Sequence, residues 1–212
     1  MKLFLDTAIV SDIEDRLDTG LIAGVTTNPT LIRKVDKDPW DVYTDIIELG
    51  VSDLSIEVYG ETYAELLQNS LTVVENYGHV ATIKLPCTMD GLKVCKYLRA
   101  IDVRVNMTLV FSVSQAILCS LAGATYISPF IGRMDDNSLK GLDLIADIAS
   151  IYKKQFINTM ILAASVRDVY SVGRAFSLGA DICTIPPKVF DSMASHVLTD
   201  KGLEQFNRDF LA

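Results

Sequence analysis

The chain has 212 residues, half of them hydrophobic, and a net charge of −8. This length can hold one domain or two, sits at the lower end for a single eight-stranded barrel, and allows a large core. The acidic balance excludes nucleic acid and an anionic membrane surface as partners, and leaves phosphate binding to a few local arginines. The chain alternates strand and helix. Residues 3–5 form a short apolar strand that ends at Asp6, and Ser11-Asp12-Ile13-Glu14 reads as a capping box opening a helix. Gly20 closes that helix before a strand over 22–26, and Asn28-Pro29 is a turn signal. Asp38-Pro39 opens a helix with Trp40, Tyr43 and Ile47 on one face, and Gly50 precedes a strand over 54–58. Thr62-Tyr63-Ala64-Glu65 is a second capping box, and its helix stops at Gly78.

The fourth strand starts at Val80 and is closed by Lys84, and Pro86 stops the sheet just beyond it. Thr88 or Asp90 starts the next helix, and a strand over 104–108 follows. Ser112 caps a helix that ends at Gly123, and the strand over 125–128 is cut by Pro129. A polar loop leads into a long helix marked by Leu142, Ile145, Ile148 and Tyr152. A strand over 159–163, a helix with Val169, Val172 and Phe176 and a strand over 181–185 complete the series. Pro186-Pro187 opens a short helix, and an amphipathic helix over about 199–211 carries Leu203, Phe206 and Phe210.

Eight strand-helix units in 212 residues leave room only for short loops. Gly20, Gly50, Gly78, Gly123 and Gly179 mark tight helix-to-strand returns. The pattern predicts one domain over 1–212: an α/β (β/α)8 TIM barrel with a C-terminal amphipathic helix. A doubly wound sheet would need an early glycine-rich phosphate loop, and the sequence has none. Cys87, Cys95, Cys119 and Cys183 form neither a C-x-x-C pair nor a zinc-ligand spacing, so free thiols in a reducing cytoplasm are expected. The apolar start is too short for a signal peptide, and no run approaches membrane length. His79 and His196 sit near element ends outside any ligand cluster, so neither a histidine-held metal nor a Ser-His-Asp triad is expected.

In a parallel barrel the polar residues that close the strands share one basin. Here these are Asp6, Thr26 to Asn28, Glu57, Lys84, Asn106, Thr108, Ser128 and Ser165, with Arg133 and Arg167 just beyond. Each has a plain alternative: Lys84 can snorkel to solvent, Asp6 can cap a turn, Ser165 can cap the following helix, and the arginines can be surface charges. Together they make a coherent chemistry. A desolvated lysine amine adds to a ketone, and the resulting iminium draws electrons from an adjacent carbon–carbon bond. One carboxylate then accepts the hydroxyl proton, and another, with a hydroxyl such as Thr108, holds a water. The arginines grip a phosphate. This route calls for no metal and no cofactor.

The runs Gly24-Val25-Thr26-Thr27-Asn28-Pro29-Thr30, Ile83-Lys84-Leu85-Pro86 and Asn106-Met107-Thr108-Leu109-Val110-Phe111-Ser112 resemble transaldolase motifs. So do Ser128-Pro129-Phe130-Ile131-Gly132-Arg133, Ala164-Ser165-Val166-Arg167 and Leu198-Thr199-Asp200-Lys201-Gly202. The resemblance is to the small microbial type and spans essentially the whole chain. It implies Lys84 as the Schiff-base lysine, Asp6 as general acid/base, and Glu57 with Thr108 around a catalytic water. It implies Asn28, Asn106, Ser128 and Phe130 at the substrate, with Arg133, Ser165 and Arg167 at its phosphate. The activity implied is transfer of dihydroxyacetone from a ketose phosphate to an aldose phosphate in the non-oxidative pentose phosphate pathway.

In the fructose-6-phosphate aldolase branch, which releases free dihydroxyacetone, Gln is typical where this chain has Glu57, and Tyr where it has Phe130. Both residues here, with the Asn106-x-Thr108 pair, favour the transferase. Cys87 departs from the larger apolar residue usual after the proline, and the loop over 135–140 is also unusual. A barrel that binds without catalysing is the alternative from another class. The stripe Leu203, Phe206 and Phe210 either folds back on its own barrel or joins copies of the chain. The resemblance implies the second, as rings of five, often paired into decamers.

Overall fold

The computed structural model describes residues 1–211. Among them, eight parallel strands close into a barrel in sequence order: β1 (Lys2–Asp6), β2 (Ile22–Thr26), β3 (Leu54–Glu57), β4 (Ala81–Pro86), β5 (Val105–Val110), β6 (Tyr126–Pro129), β7 (Met160–Ala163) and β8 (Ile182–Ile185). β8 pairs with β1, so the sheet has no free edge. The helices are α1 (Val10–Leu17), α2 (Pro29–Ile32), α3 (Pro39–Glu48), α4 (Tyr63–Tyr77), α5 (Met89–Ala100) and α6 (Val113–Leu121), followed by α7 (Ile131–Asp136), α8 (Gly141–Lys154), α9 (Val169–Ser177), α10 (Pro187–Met193) and α11 (Val197–Phe210). The predicted (β/α)8 barrel and its C-terminal helix are therefore present.

Period-two alternation on the strands makes two apolar shells. Phe4, Tyr126, Leu162, Ala164 and Ile182 fill the inside of the barrel. Outward-facing residues such as Leu5, Val25, Ile83, Leu85 and Met107 pack with helix residues such as Ile46, Leu98 and Ile148. Gly24 faces inward, where a Cβ would lie 2.7 Å from the Phe4 ring. The N-terminal end of the barrel is closed by Asp53, whose carboxylate accepts from Thr82 (2.7 Å), Tyr126 (2.7 Å) and Arg104 (2.9 Å). A buried carboxylate with three donors is fully satisfied and plugs the end opposite Lys84.

Caps set most helix starts. Thr62 and Glu65 form the expected capping box, and Asp38, Thr88 and Ser112 cap α3, α5 and α6. The five predicted return glycines all have positive φ. Several boundaries differ from expectation. Ser11 does not cap α1, which begins a residue earlier behind Ile9 with no side-chain cap. Val80 lies in a 3-10 turn, Gly78–Val80, and Pro86 is the last residue of β4 rather than lying just beyond it. Asn28-Pro29 is not a simple turn but the start of α2, and the polar loop after β6 begins with α7. β5 extends to Val110 through an irregularity at Leu109, which has φ +58°. Asp168, not Ser165, caps α9. α11 starts at Val197, and no residue of it is buried against the barrel. Among the described residues no helix is long and apolar enough to cross a membrane.

Candidate active site

Parallel register fixes which side chains meet. Glu57 pairs with Lys84 across β3 and β4, and Lys84 pairs with Asn106 across β4 and β5. Glu57 ends β3 and Lys84 lies two residues before the end of β4, while Asn106 is the second residue of β5; the register sets all three side by side on the inward face. Lys84 is 4% exposed. Its Nζ lies 2.9 Å from a Glu57 carboxylate oxygen and donates to the Thr27 carbonyl at 3.0 Å. The buried charge is therefore paired and hydrogen-bonded, which offsets the desolvation cost. The snorkelling alternative does not hold.

Asp6, Lys84, Asn28, Ser128, Phe130, Arg133 and Ser165 all line one cavity of about 120 Å³ at this end of the barrel. Asp6 accepts from Thr26 Oγ1 at 2.8 Å. Thr26 has one proton, so once it donates to ionised Asp6 it accepts from Thr184, 2.6 Å away. Burial pushes the Asp6 carboxyl above the ordinary aspartate range; Lys84 and the Thr26 hydrogen bond oppose this, and Glu57 adds to it. The carboxyl thus holds a proton more readily than a solvated one does.

Glu57 pairs with Lys84, and Asn106 and Thr108 stand on the neighbouring strand beside Lys84 and Pro86; none of the three lines that cavity. Ser128 donates to the Asn106 amide oxygen at 2.7 Å, and the Asn106 amide nitrogen donates to Ser55 at 3.3 Å. This pair of bonds fixes which way the amide points. Thr108 Oγ1 is buried and has no hydrogen-bond partner among the described residues. Glu57 borders a second cavity of about 200 Å³ with Trp40, Tyr43 and Tyr59. Burial, with smaller contributions from Tyr77 and Glu57, pushes the Tyr43 hydroxyl up to about 12.

Asn28 accepts from the Leu31 amide through Oδ1 (3.0 Å) as the cap of α2, which leaves its NH2 group for the cavity. Arg133 stacks over the Phe130 ring at 4.9 Å, and Phe111 packs edge-on against the same ring at 5.8 Å. Ser165 sits just past β7 with φ +59°, a conformation that costs a non-glycine residue energy and gathers at functional sites. A Cβ on Gly132 would lie 2.1 Å from the Ser165 carbonyl, so α7 approaches β7 only because residue 132 is glycine. Arg167 is not turned into the cavity; it pairs with Asp136 on the surface.

Thr184 lines the cavity although the sequence reading passed over it. Ser55, the partner of Asn106, was also passed over. Thr184 interrupts an apolar run, whereas Ser55 shares β3 with Glu57 two residues on, and period-two counting places both inward.

The chain matches the family model "Transaldolase/Fructose-6-phosphate aldolase" over residues 3–212. It is 46% identical to a "Probable transaldolase" of Paracoccus denitrificans over 210 residues, covering 99% of this chain and 96% of that one. A protein of the same description from Symbiobacterium thermophilum is 45% identical over 212 residues, covering 100% and 98%. Thiamine phosphate pyrophosphorylase from Pyrococcus furiosus superposes with a TM-score of 0.59 over 91% of this chain and 93% of that one, at 15% identity, a likeness of fold alone. A match of this extent, on a closed barrel with a buried lysine at its C-terminal mouth, means that the chain belongs to the transaldolase/fructose-6-phosphate aldolase family.

Proposed function

We propose that the chain is a transaldolase of the non-oxidative pentose phosphate pathway. It transfers a dihydroxyacetone unit from fructose 6-phosphate or sedoheptulose 7-phosphate to erythrose 4-phosphate or glyceraldehyde 3-phosphate, through a Schiff base on Lys84. The observation that carries this reading is the buried Lys84 amine, 2.9 Å from Glu57 and opening on the cavity that Asp6 also lines.

An ammonium cannot attack a carbonyl. Glu57 is near enough to take its proton, which frees the amine to add to the substrate ketone. The carbonyl oxygen then leaves as water and an iminium forms. Glu57 and Thr108 handle this water, and a buried hydroxyl with no protein partner suits that task. The iminium withdraws electrons while Asp6 takes the proton of the hydroxyl on the carbon β to it. The carbon–carbon bond breaks, and the aldose phosphate leaves an enamine on Lys84. An incoming aldose phosphate is attacked by the enamine carbon, Asp6 returns its proton, and water releases the new ketose. A carboxyl whose burial favours the protonated form suits both halves of this cycle. Asn28, Asn106 and Ser128 hold the substrate hydroxyls beside Phe130, and Arg133 and Ser165 hold the phosphate, joined by Arg167 once it leaves Asp136. We further infer that the protein works in the cytoplasm as a ring of five or ten copies.

Borohydride reduction with fructose 6-phosphate is expected to leave a covalent adduct on Lys84, absent from Lys84→Met. Turnover by Lys84→Met would overturn the mechanism. In a coupled assay, product is expected to form only when erythrose 4-phosphate is present. Comparable release of free dihydroxyacetone without an acceptor would instead assign the chain to the aldolase branch. No adduct and no turnover would leave a barrel that binds without catalysing.

A further inference from the structure

Two of the thiols lie against each other next to the strand that carries Lys84. Cys87 follows β4 directly and is half-buried, and its amide donates to the Thr108 carbonyl at 3.0 Å. Cys119 lies on the buried face of α6 with Ala116. The two sulfurs are 3.5 Å apart. A disulfide needs about 2.05 Å, so the sulfurs must close by a further ångström and a half or so, and each thiol has only the other as its side-chain partner among the described residues. The other two thiols differ. Cys95 and Cys183 are buried, point at the Ala122 and Val172 carbonyls, and have no sulfur partner.

We propose that Cys87 and Cys119 form an oxidant-responsive dithiol that closes reversibly to a disulfide under hydroperoxide, tying the end of β4 to α6. Cys87 is the attacking thiol. It is the only one of the four among the described residues that is not fully buried, and the hydrogen bond from Cys119 draws its thiol below the ordinary cysteine range. Burial pushes Cys95 and Cys183 up to about 12, away from reaction. The Cys87 thiolate attacks a peroxide oxygen, the O–O bond breaks, and hydroxide leaves, giving a sulfenic acid. The Cys119 sulfur then attacks the Cys87 sulfur, the S–O bond breaks, and water departs with the Cys119 proton. Two thiols lose two electrons in total, and one peroxide becomes two waters. In a reducing compartment such a bond is transient and is reopened by a dithiol.

The test uses the full chain, reduced and desalted, treated with equimolar hydrogen peroxide and then denatured in iodoacetamide. Alkylatable thiols are expected to fall from four to two, with one peptide pair cross-linked through Cys87 and Cys119 and full recovery after dithiothreitol. Cys119→Ser is expected to stop at the Cys87 sulfenic acid, trapped by dimedone, and Cys87→Ser to keep all its remaining thiols. Four alkylatable thiols after peroxide, a different or interchain cross-link, or thiol loss with no cross-link would each overturn the proposal. The thiol count on the unmodified chain decides the matter even if Cys119→Ser does not fold.

Discussion

Asp6 carries a conflict between folding and chemistry. Its carboxyl is held above the ordinary range, burial outweighing the attraction of Lys84 and the Thr26 hydrogen bond. The folded chain therefore binds this proton more tightly than the unfolded chain does. The matching stabilisation is complete below the unfolded value of 3.8 and is lost as pH rises through the folded value. At neutral pH the protein bears the cost of a buried carboxylate, and Asp6→Asn removes it. That variant is expected to lose activity by about 10²- to 10⁴-fold. Its Tm at neutral pH should exceed that of the parent by roughly 2–4 °C for each kcal/mol recovered, with the gap closing as pH falls. An equal or lower Tm at neutral pH would contradict the account. Arg167 poses the opposite case. It is 54% exposed in its pair with Asp136, and such surface pairs contribute little, about 0–1 kcal/mol. Asp136→Asn should barely move the Tm. It should lower the inhibition constant for inorganic phosphate by about two- to five-fold, the effect of freeing one exposed charge worth under ~1 kcal/mol. An unchanged constant would place Arg167 outside the phosphate site. Pairs such as this one, 31 positions apart in sequence, were not legible from spacing, because nothing local records them.

The elements show why one part of the sequence could be read and another could not. Long periodic segments and their caps were legible, since apolar spacing and the Thr62/Glu65 box each have a local cause. The short helices α2 and α7 were not, because four and six residues give too little periodicity to tell a helix from a turn. The Ser11 box did not form because the helix already runs through it: the Ile13 amide donates to the Ile9 carbonyl at 3.3 Å, which leaves Ser11 inside α1. The strand-end residues of the site were legible because parallel register brings strand ends to one rim; Thr184 and Ser55 escaped because Thr184 interrupts an apolar run and Ser55 lies one inward position below the strand end. Thr62→Ala is expected to cost about 0.5–2 kcal/mol and leave activity unchanged, as read by urea unfolding beside the coupled assay. Gly132→Ala acts differently. Its Cβ would meet the Ser165 carbonyl at 2.1 Å, so α7 must shift away from β7 and carry Arg133 with it. The substrate KM should rise while the borohydride adduct on Lys84 still forms at saturating substrate. Loss of the adduct would mean that the α7–β7 contact supports the lysine as well as the phosphate.

At the scale of the molecule the barrel is closed and complete, but its last helix is not. The barrel buries both faces of its sheet, inward onto the Phe4 cluster and outward onto the helices. α11 has no buried residue, and Leu203, Phe206 and Phe210 are 55%, 70% and 90% exposed. Their i, i+3, i+7 spacing puts them on one stripe, so the fold-back expected as one alternative does not occur. Each large side chain left in water forgoes about 1.5–3 kcal/mol of burial, and a contiguous stripe of this kind marks an interaction surface. The proposed assembly of copies would cover it without any change to the barrel. Sedimentation at micromolar concentration is expected to give a particle several times the 23.3 kDa chain mass. Phe206→Glu with Leu203→Glu should shift that particle toward smaller species, because a carboxylate buried in an apolar interface must be desolvated with no partner. The variant should retain the Lys84 adduct, since α11 lines neither the Asp6–Lys84 cavity nor the Glu57 cavity. A parent chain that sediments at the mass of one copy would remove the case for assembly through α11, while the chemistry at Lys84 would still be judged by its own trapping experiment.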